Sequence, residues 1–329
     1  MITKKEIAEH LGISRTAVSL VLNNTPSSTI SIETRSKILQ AAKELGYRDV
    51  ESSPKLCFIL YERDANDPRY MRELHLVEQA ASRHGYGLIY MNVTNAPESM
   101  DKLRKALDSK EIDGSVVSGD VDEYLIRVLR GYPPPFVLLG LPLKDNIDDL
   151  SYAMTDDVKL AYDATRYLIS LGHTRIALFT GSLDYKIHQC FLQGFGQAYE
   201  ASGITLDKSL IQISNEENGY ELCKRAEMLR LDYTAVFCAN TVIQFGVLQR
   251  LQVMGVSVPD DVSLISAGFT ELAKVSVPQL TTYYVEETAK AEVVTMLVDL
   301  INRPASGRRT CSFTEFSRHE GGTTGPRKG

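Results

Sequence analysis

Ser14, Arg15, Thr16 and Ser19 form the most concentrated group of polar chemistry near the amino terminus. They share a short segment with Ala17, Val18, Val21 and Leu22, whose spacing gives a helix one apolar face and leaves the polar four outside it. A guanidinium can grip a guanine edge or hold a phosphate, and hydroxyls can hydrogen-bond bases or backbone. That is the chemistry of reading DNA, not of breaking bonds.

The neighbouring residues supply the elements that would position this group. Thr3 can cap a first helix, with Glu6 completing a capping box, and Ile7, Ala8 and Leu11 fall on its buried face. Gly12 stops that helix because a left-handed turn is cheap only for glycine. Ile13 plugs the corner, and Ser14 caps the second helix. A third helix follows from a cap at Ser31, with Ile32, Ile38, Leu39, Ala42 and Leu45 at helical spacing and Gly46 at its end. Two short helices joined by a tight glycine turn make a helix-turn-helix, which places the start of its second helix at base edges in a major groove.

On Ile7-Ala8, Gly12-Ile13-Ser14, Thr16, Val18-Ser19, Asn23, Ser31, Thr34-Arg35 and Leu45-Gly46-Tyr47, the first 47 residues resemble the DNA-binding headpiece of the lactose repressor (LacI/GalR) family of bacterial transcription regulators. The resemblance extends over nearly the whole chain. It implies DNA contacts at Thr3, Ser14, Arg15, Thr16, Ser19, Leu20, Asn23, Thr34 and Arg35. Leu20 departs from the arginine the family often has there, so it would meet a thymine methyl or simply pack. Arg48–Lys55 reads as a polar linker, shorter than the family's hinge and carrying Asp49 and Glu51 where the family has basic and small residues.

The bulk composition agrees with one DNA-facing end. The 329 residues carry a formal charge of −6, but residues 1–50 hold seven Lys/Arg against five Asp/Glu, a local +2 that leaves −8 elsewhere. The bias is modest, so tight binding calls for dimerisation to double the phosphate contacts. Five scattered cysteines with no CxxC pair read as buried free thiols in a reducing cytoplasm. No apolar run approaches a membrane span and no signal core opens the chain, so a membrane partner is not expected.

From Leu56 the pattern becomes strand–helix alternation, and it restarts near Arg175. The expected fold class is an all-α helix-turn-helix headpiece followed by an α/β core of two Rossmann-like subdomains. The stretches Leu171–Ala177, Thr234–Asn240, Val258–Ser266 and Pro278–Thr282 resemble the same family's core, which is periplasmic-binding-protein-like. That resemblance implies crossings between lobes near 153–156, 282–286 and 305–312. The expected domains are a headpiece at 1–47, a linker at 48–55 and a two-lobed effector-binding and dimerisation core at 56–325. The first lobe takes 56–153 plus 286–304, with a helix over 286–301, and the second takes 154–285 plus 310–320. The tail 320–329 reads as disordered.

In two-lobed α/β cores ligands sit at the carboxyl ends of the strands. Residues after strands are therefore candidates: Asp67, Arg69 and Tyr70, then Ser118, then Asp184–Phe191, Asn240, Gly268 and Phe269. Each has an ordinary loop role as the alternative. By the resemblance, Phe191 stands where sugar-binding members have an arginine, Thr241 follows Asn240 in place of an aspartate, and Gly268 falls in a changed Gly-aromatic-Asp-Asp segment. These changes remove charged hydrogen-bonding groups, each worth about 1.5–3 kcal/mol to a hydroxyl-rich ligand. A simple hexose is therefore not expected to bind in the usual way. An aromatic ligand, an acidic one held by Arg69, or no ligand response all remain open.

An enzyme is not expected. No GxGxxG or GxxxxGK[ST] follows a strand, and no GxSxG, HExxH or HxxxH occurs among the six histidines. No cofactor and no metal are expected, and His173, at a helix end, reads as a cap on the last carbonyls. The leading reading is a cytoplasmic homodimeric regulator, a repressor that binds a pseudo-palindromic double-stranded operator and answers to a small-molecule effector. The alternative is a ligand-binding or protein-interaction module whose head no longer reads DNA.

Overall fold

The structure is a computed structural model that describes residues 2–22, 30–47, 54–140, 149–303, 307–308 and 310–328. It divides into two compact units, Met1–Pro54 and Lys55–Gly329. Asn23 and most of the expected linker lie outside the described residues.

The first unit is three helices: α1 (Lys4–Leu11), α2 (Arg15–Leu22) and α3 (Ile32–Leu45). The Glu6 N–H donates to the Thr3 hydroxyl, and the Thr3 N–H donates back to the Glu6 carboxylate at 2.7 Å. Gly12 sits at φ 65, in the left-handed region. Ala17 N–H donates to Ser14 Oγ at 3.2 Å, and Thr34 N–H to Ser31 Oγ at 3.2 Å. The core is Ile7, Ala8, Val18, Val21, Ile38, Ala41 and Ala42. Leu39, expected inside, is exposed, because Ile38, Ala41, Ala42 and Leu45 already trace the buried stripe and position 39 turns away from it.

The second unit holds two six-stranded sheets of matching topology. The first is built from β1 (Lys55–Tyr61), β2 (Gly87–Val93), β3 (Gly114–Gly119), β4 (Phe136–Leu139), β5 (Tyr152–Thr155) and β11 (Thr310–Phe313), in the order β11-β5-β4-β3-β1-β2, all parallel. The second is built from β6 (Ile176–Thr180), β7 (Ile211–Ile213), β8 (Ala235–Cys238), β9 (Ser263–Ala267), β10 (Thr281–Tyr284) and β12 (Ser317–His319), in the order β12-β10-β9-β8-β6-β7. Its one antiparallel pair is β10 with β12. Central strands such as Leu56–Tyr61 are apolar at every position because helices cover both faces.

In each sheet the strand order reverses beside the first strand of the lobe, β1 or β6. The crevice at the carboxyl ends of β1, β3, β6 and β8 is therefore where a ligand site belongs. The helices that reach it are α4 (Pro68–Arg83), α7 (Asp157–Ser170), α8 (Lys186–Ala201), α10 (Thr241–Val253) and the short α12 (Glu287–Lys290). Numbering counts α5 (Pro97–Asp108), α6 (Glu123–Arg130), α9 (Gly219–Met228) and α11 (Glu271–Val275) between them; α13 (Glu292–Asn302) follows α12. The helix expected over 286–301 is thus two pieces that meet at Ala291.

Three expectations are corrected. Thr310–Phe313, assigned to the second lobe, pairs with β5 in the first sheet, so the last crossing falls at 314–316. Tail residues expected to be disordered are packed: Thr323 is fully buried, its hydroxyl donates to Leu264 O at 2.8 Å, and Arg327 N–H donates to Leu171 O. His173 does not cap a helix with its ring; its two nitrogens meet Thr234 Oγ1 at 2.9 Å and Gly325 O at 3.0 Å, pinning that tail. Of the five free cysteines, Cys190 and Cys311 are only half-buried.

Helices α7 and α8 meet at Gly194, where a Cβ would fall on the Val158 carbonyl oxygen and within 2.9 Å of Ala161 Cβ. Backbone cannot yield as a side chain can, so Gly194→Ala is expected to destabilise the core by about 3 kcal/mol, the upper part of the overpacking range. A urea midpoint unchanged from the parent's contradicts this.

Candidate DNA-reading helix and effector cleft

In the first unit, Arg15 and Thr16 are exposed on the first turn of α2. Ser14 is exposed too, but its oxygen serves the cap of α2. Ser19 and Leu20 are half-buried. Thr3 is engaged in its capping box, Thr34 Oγ1 lies 2.9 Å from Ser31 Oγ, and Arg35 is half-buried with a partner. The turn therefore presents one free guanidinium, since among the described residues Arg15 has no carboxylate partner.

In the second unit, a cavity of about 240 Å³ opens between the lobes. Arg69, Tyr70, Ser118, Phe191, Asn240, Gly268 and Phe269 all line it. Asp67 does not. It is the N-cap of α4, accepting from Arg69 N–H, and its carboxylate grips the Arg69 guanidinium at 2.6 Å. Arg69 and Tyr70 lie in the first turn of α4 and Phe191 inside α8, because both helices begin about six residues before their apolar periodicity becomes clear. Phe191 is buried edge-on to His188 and Phe237, and Phe269 faces Tyr284 at 4.9 Å with Arg72 over its ring at 4.8 Å.

The cavity is rich in charge, although Phe191 and Gly268 themselves bring none to it. Arg63 follows β1, is bound by Asp120 at 2.7 Å and stacks on Tyr185. Glu217 comes from the other lobe, after β7, and pairs with Arg63 at 3.2 Å and Arg69 at 2.5 Å. Burial alone would raise the Glu217 carboxyl. The nearby His188 ring and the charges of Arg69 and Arg63 outweigh that and hold it well below the usual carboxylate range. At Asp120 the balance tips the other way, and burial raises it against the pull of Arg63.

Farther along the cavity, Glu73 accepts from Ser118 Oγ at 2.7 Å and lies 3.8 Å from Lys290. Asp157, the first residue of α7, is pushed up to about 7 by burial, with Lys290 opposing and Asp156 assisting. A carboxyl raised in the folded state contributes stability below its unfolded pKa and loses it as pH rises through the folded one. Removing the ionisable group should therefore help only at high pH. Asp157→Asn is expected to melt with the parent at pH 4 and above it at pH 8, and a constant offset between the two pH values contradicts this.

Sequence reasoning missed Arg63, Asp120, Glu217, Lys290, Glu73 and Asp157. Arg63 and Asp120 directly follow strands at the order reversal, so the strand-end rule reaches them. Glu217 follows a three-residue strand in a polar turn, with no local mark. Among the described residues, no group of three or more His, Cys, Asp or Glu could hold a metal ion, and no helix is long and apolar enough to cross a membrane.

Comparison with known proteins covers both units. Residues 3–49 match the family described as bacterial regulatory proteins, lacI family, and residues 53–303 match periplasmic binding proteins and sugar binding domain of LacI family. The chain is 28% identical to the HTH-type transcriptional regulator DegA of Bacillus subtilis (strain 168), over 84% of each chain. It is 28% identical to the HTH-type transcriptional repressor PurR of Histophilus somni (strain 129Pt), over 86% of this chain and 87% of that one. A solved complex of the transcriptional regulator CelR with cellobiose superposes with a TM-score of 0.74 at 25% identity, covering 98% of this chain and all of that one.

Proposed function

Because the chain belongs to the LacI family of bacterial regulatory proteins, we propose that it is a sequence-specific repressor of transcription that acts as a homodimer on a pseudo-palindromic operator. In this reading the head over 1–47 reads DNA. The two-lobed core dimerises, and a small molecule in the cleft shifts the population between head spacings. The work is done in the cytoplasm, where the operator is, and involves no cofactor and no catalytic step.

The observation that carries this reading is the first turn of α2. A capped helix-turn-helix holds Arg15 and Thr16 outward while its other face is closed by Val18 and Val21. Packing explains the apolar face, and base contact explains the polar one. A single head with a small positive balance binds weakly, so the operator complex needs two. The effector is expected to be something other than a simple hexose.

Sedimentation of the full chain with a fluorescent duplex carrying a selected genomic site tests the reading. Two chains per duplex are expected, with scrambled duplex competing at least ~1,000-fold less well. One chain per duplex, or equal competition, contradicts it.

A further inference from the structure

Glu217 occupies the middle of the cleft in an unusual way. Each of its two oxygens meets one nitrogen from each lobe. Oε1 lies 3.2 Å from Arg63 Nη1 and 3.6 Å from His188 Nε2. Oε2 lies 2.5 Å from Arg69 Nη1 and 2.6 Å from Asn240 Nδ2. Four donors arranged in two pairs suit a planar two-oxygen acceptor, and charge-assisted contacts of this kind are the strong ones.

The four donors are held in place by groups other than Glu217. Arg63 is fixed by Asp120 and Arg69 by both oxygens of Asp67. Asn240 Oδ1 accepts from Ile243 N–H at 2.9 Å, which turns its amide NH2 toward Glu217. His188 Nδ1 accepts from Gly181 N–H at 3.3 Å, which leaves the proton on Nε2, facing Glu217. The site would therefore keep its shape without its occupant, which is what preorganisation means for a binding site. Glu217 in turn reaches it from a backbone at φ 51, a left-handed conformation that a glutamate adopts at some strain.

We propose that Glu217 is a built-in occupant: the chain's own carboxylate fills a site shaped for the carboxylate of a small organic acid and ties the lobes together until such an acid displaces it. The proposal deepens the effector-cleft reading and rests on it. It names the ligand class, and it makes binding a competition with an intramolecular group of high effective concentration. The arginine whose place Phe191 takes is then not needed, because Arg63 and Arg69 grip from the opposite lobe.

The test is chemical rescue, read by thermal shift on DNA-free full-length protein, with acetate, inorganic phosphate and sodium chloride at matched ionic strength. Glu217→Ala is expected to lose stability and to regain it with acetate, binding acetate at least about tenfold more tightly than the parent chain does. Glu217→Gln keeps the shape and the Asn240 contact but not the charge, and should gain a smaller acetate response; it carries the test if the alanine variant does not fold. Acetate indifference in the folded variant overturns the proposal, and a stronger response to phosphate overturns the carboxylate class. These results do not depend on DNA: a variant that ignores acetate while the parent selects an operator sinks the built-in occupant alone. A parent chain that selects no operator sinks the regulator reading, whatever acetate does.

Discussion

Replacing Arg15 by alanine is expected to lower affinity for the selected operator by about 30- to 25,000-fold while barely changing affinity for unrelated DNA. A good bidentate contact to a base is worth roughly 1–3 kcal/mol of discrimination, and a two-headed complex loses it twice. The argument depends on where Arg15 stands. It is exposed, it lies on the first turn of α2, and it has no carboxylate partner among the described residues. Titrating the variant against selected and scrambled duplexes at several salt concentrations separates the two jobs an arginine can do. Loss confined to the selected duplex marks a base contact. Equal loss on both duplexes, with a salt slope shallower by about one per head, marks a phosphate contact and contradicts the assignment.

A comparable loss should follow from a residue that never touches DNA. Ile38 is fully buried where α3 meets α1 and α2, in a core of seven buried side chains among the described residues. Truncating a buried isoleucine to alanine costs about 2–5 kcal/mol, which rivals the whole stability of a domain this small. Ile38→Ala is therefore expected to unfold the head and abolish operator binding while the core from Lys55 onward keeps its melting temperature. Limited proteolysis should then release a stable core fragment. A variant with a lowered core transition, or with operator affinity within about threefold of the parent's, contradicts the division of labour.

The head was readable because its determinants are local. Thr3 and Glu6 are three residues apart, Gly12 needs nothing but its own backbone, and Ser14 caps the next turn. The central strands were readable for a similar reason, since burial on both faces leaves an unbroken apolar run. What escaped reading is held by distant partners. Thr310–Phe313 is half polar and becomes a strand only beside β5, more than 150 residues earlier. The glycine-rich end looked free, yet Thr323 closes hydrogen bonds with Leu264, Thr281 and Gln244.

The cleft divides along the same line. Asn240 and Ser118 follow strands and could be picked out one at a time, whereas Glu217 acquires its meaning from two arginines about 150 residues before it. Phe191 and Gly268 were read one position at a time, as groups lost. That reading missed that the first lobe supplies Arg63 beside Arg69 to the same space, and that Glu217 joins them. A pattern of departures from a family shows which groups are gone, but not which have arrived from elsewhere in the fold.

The most direct test of the central claim is selection of genomic fragments by the purified full-length protein at physiological salt. One motif with two inverted half-sites is the result expected of a two-headed reader, its spacing fixed by how the paired cores set the heads. Enrichment without a motif, disappearing as salt rises, would contradict it: the head would then bind phosphate alone and read no sequence.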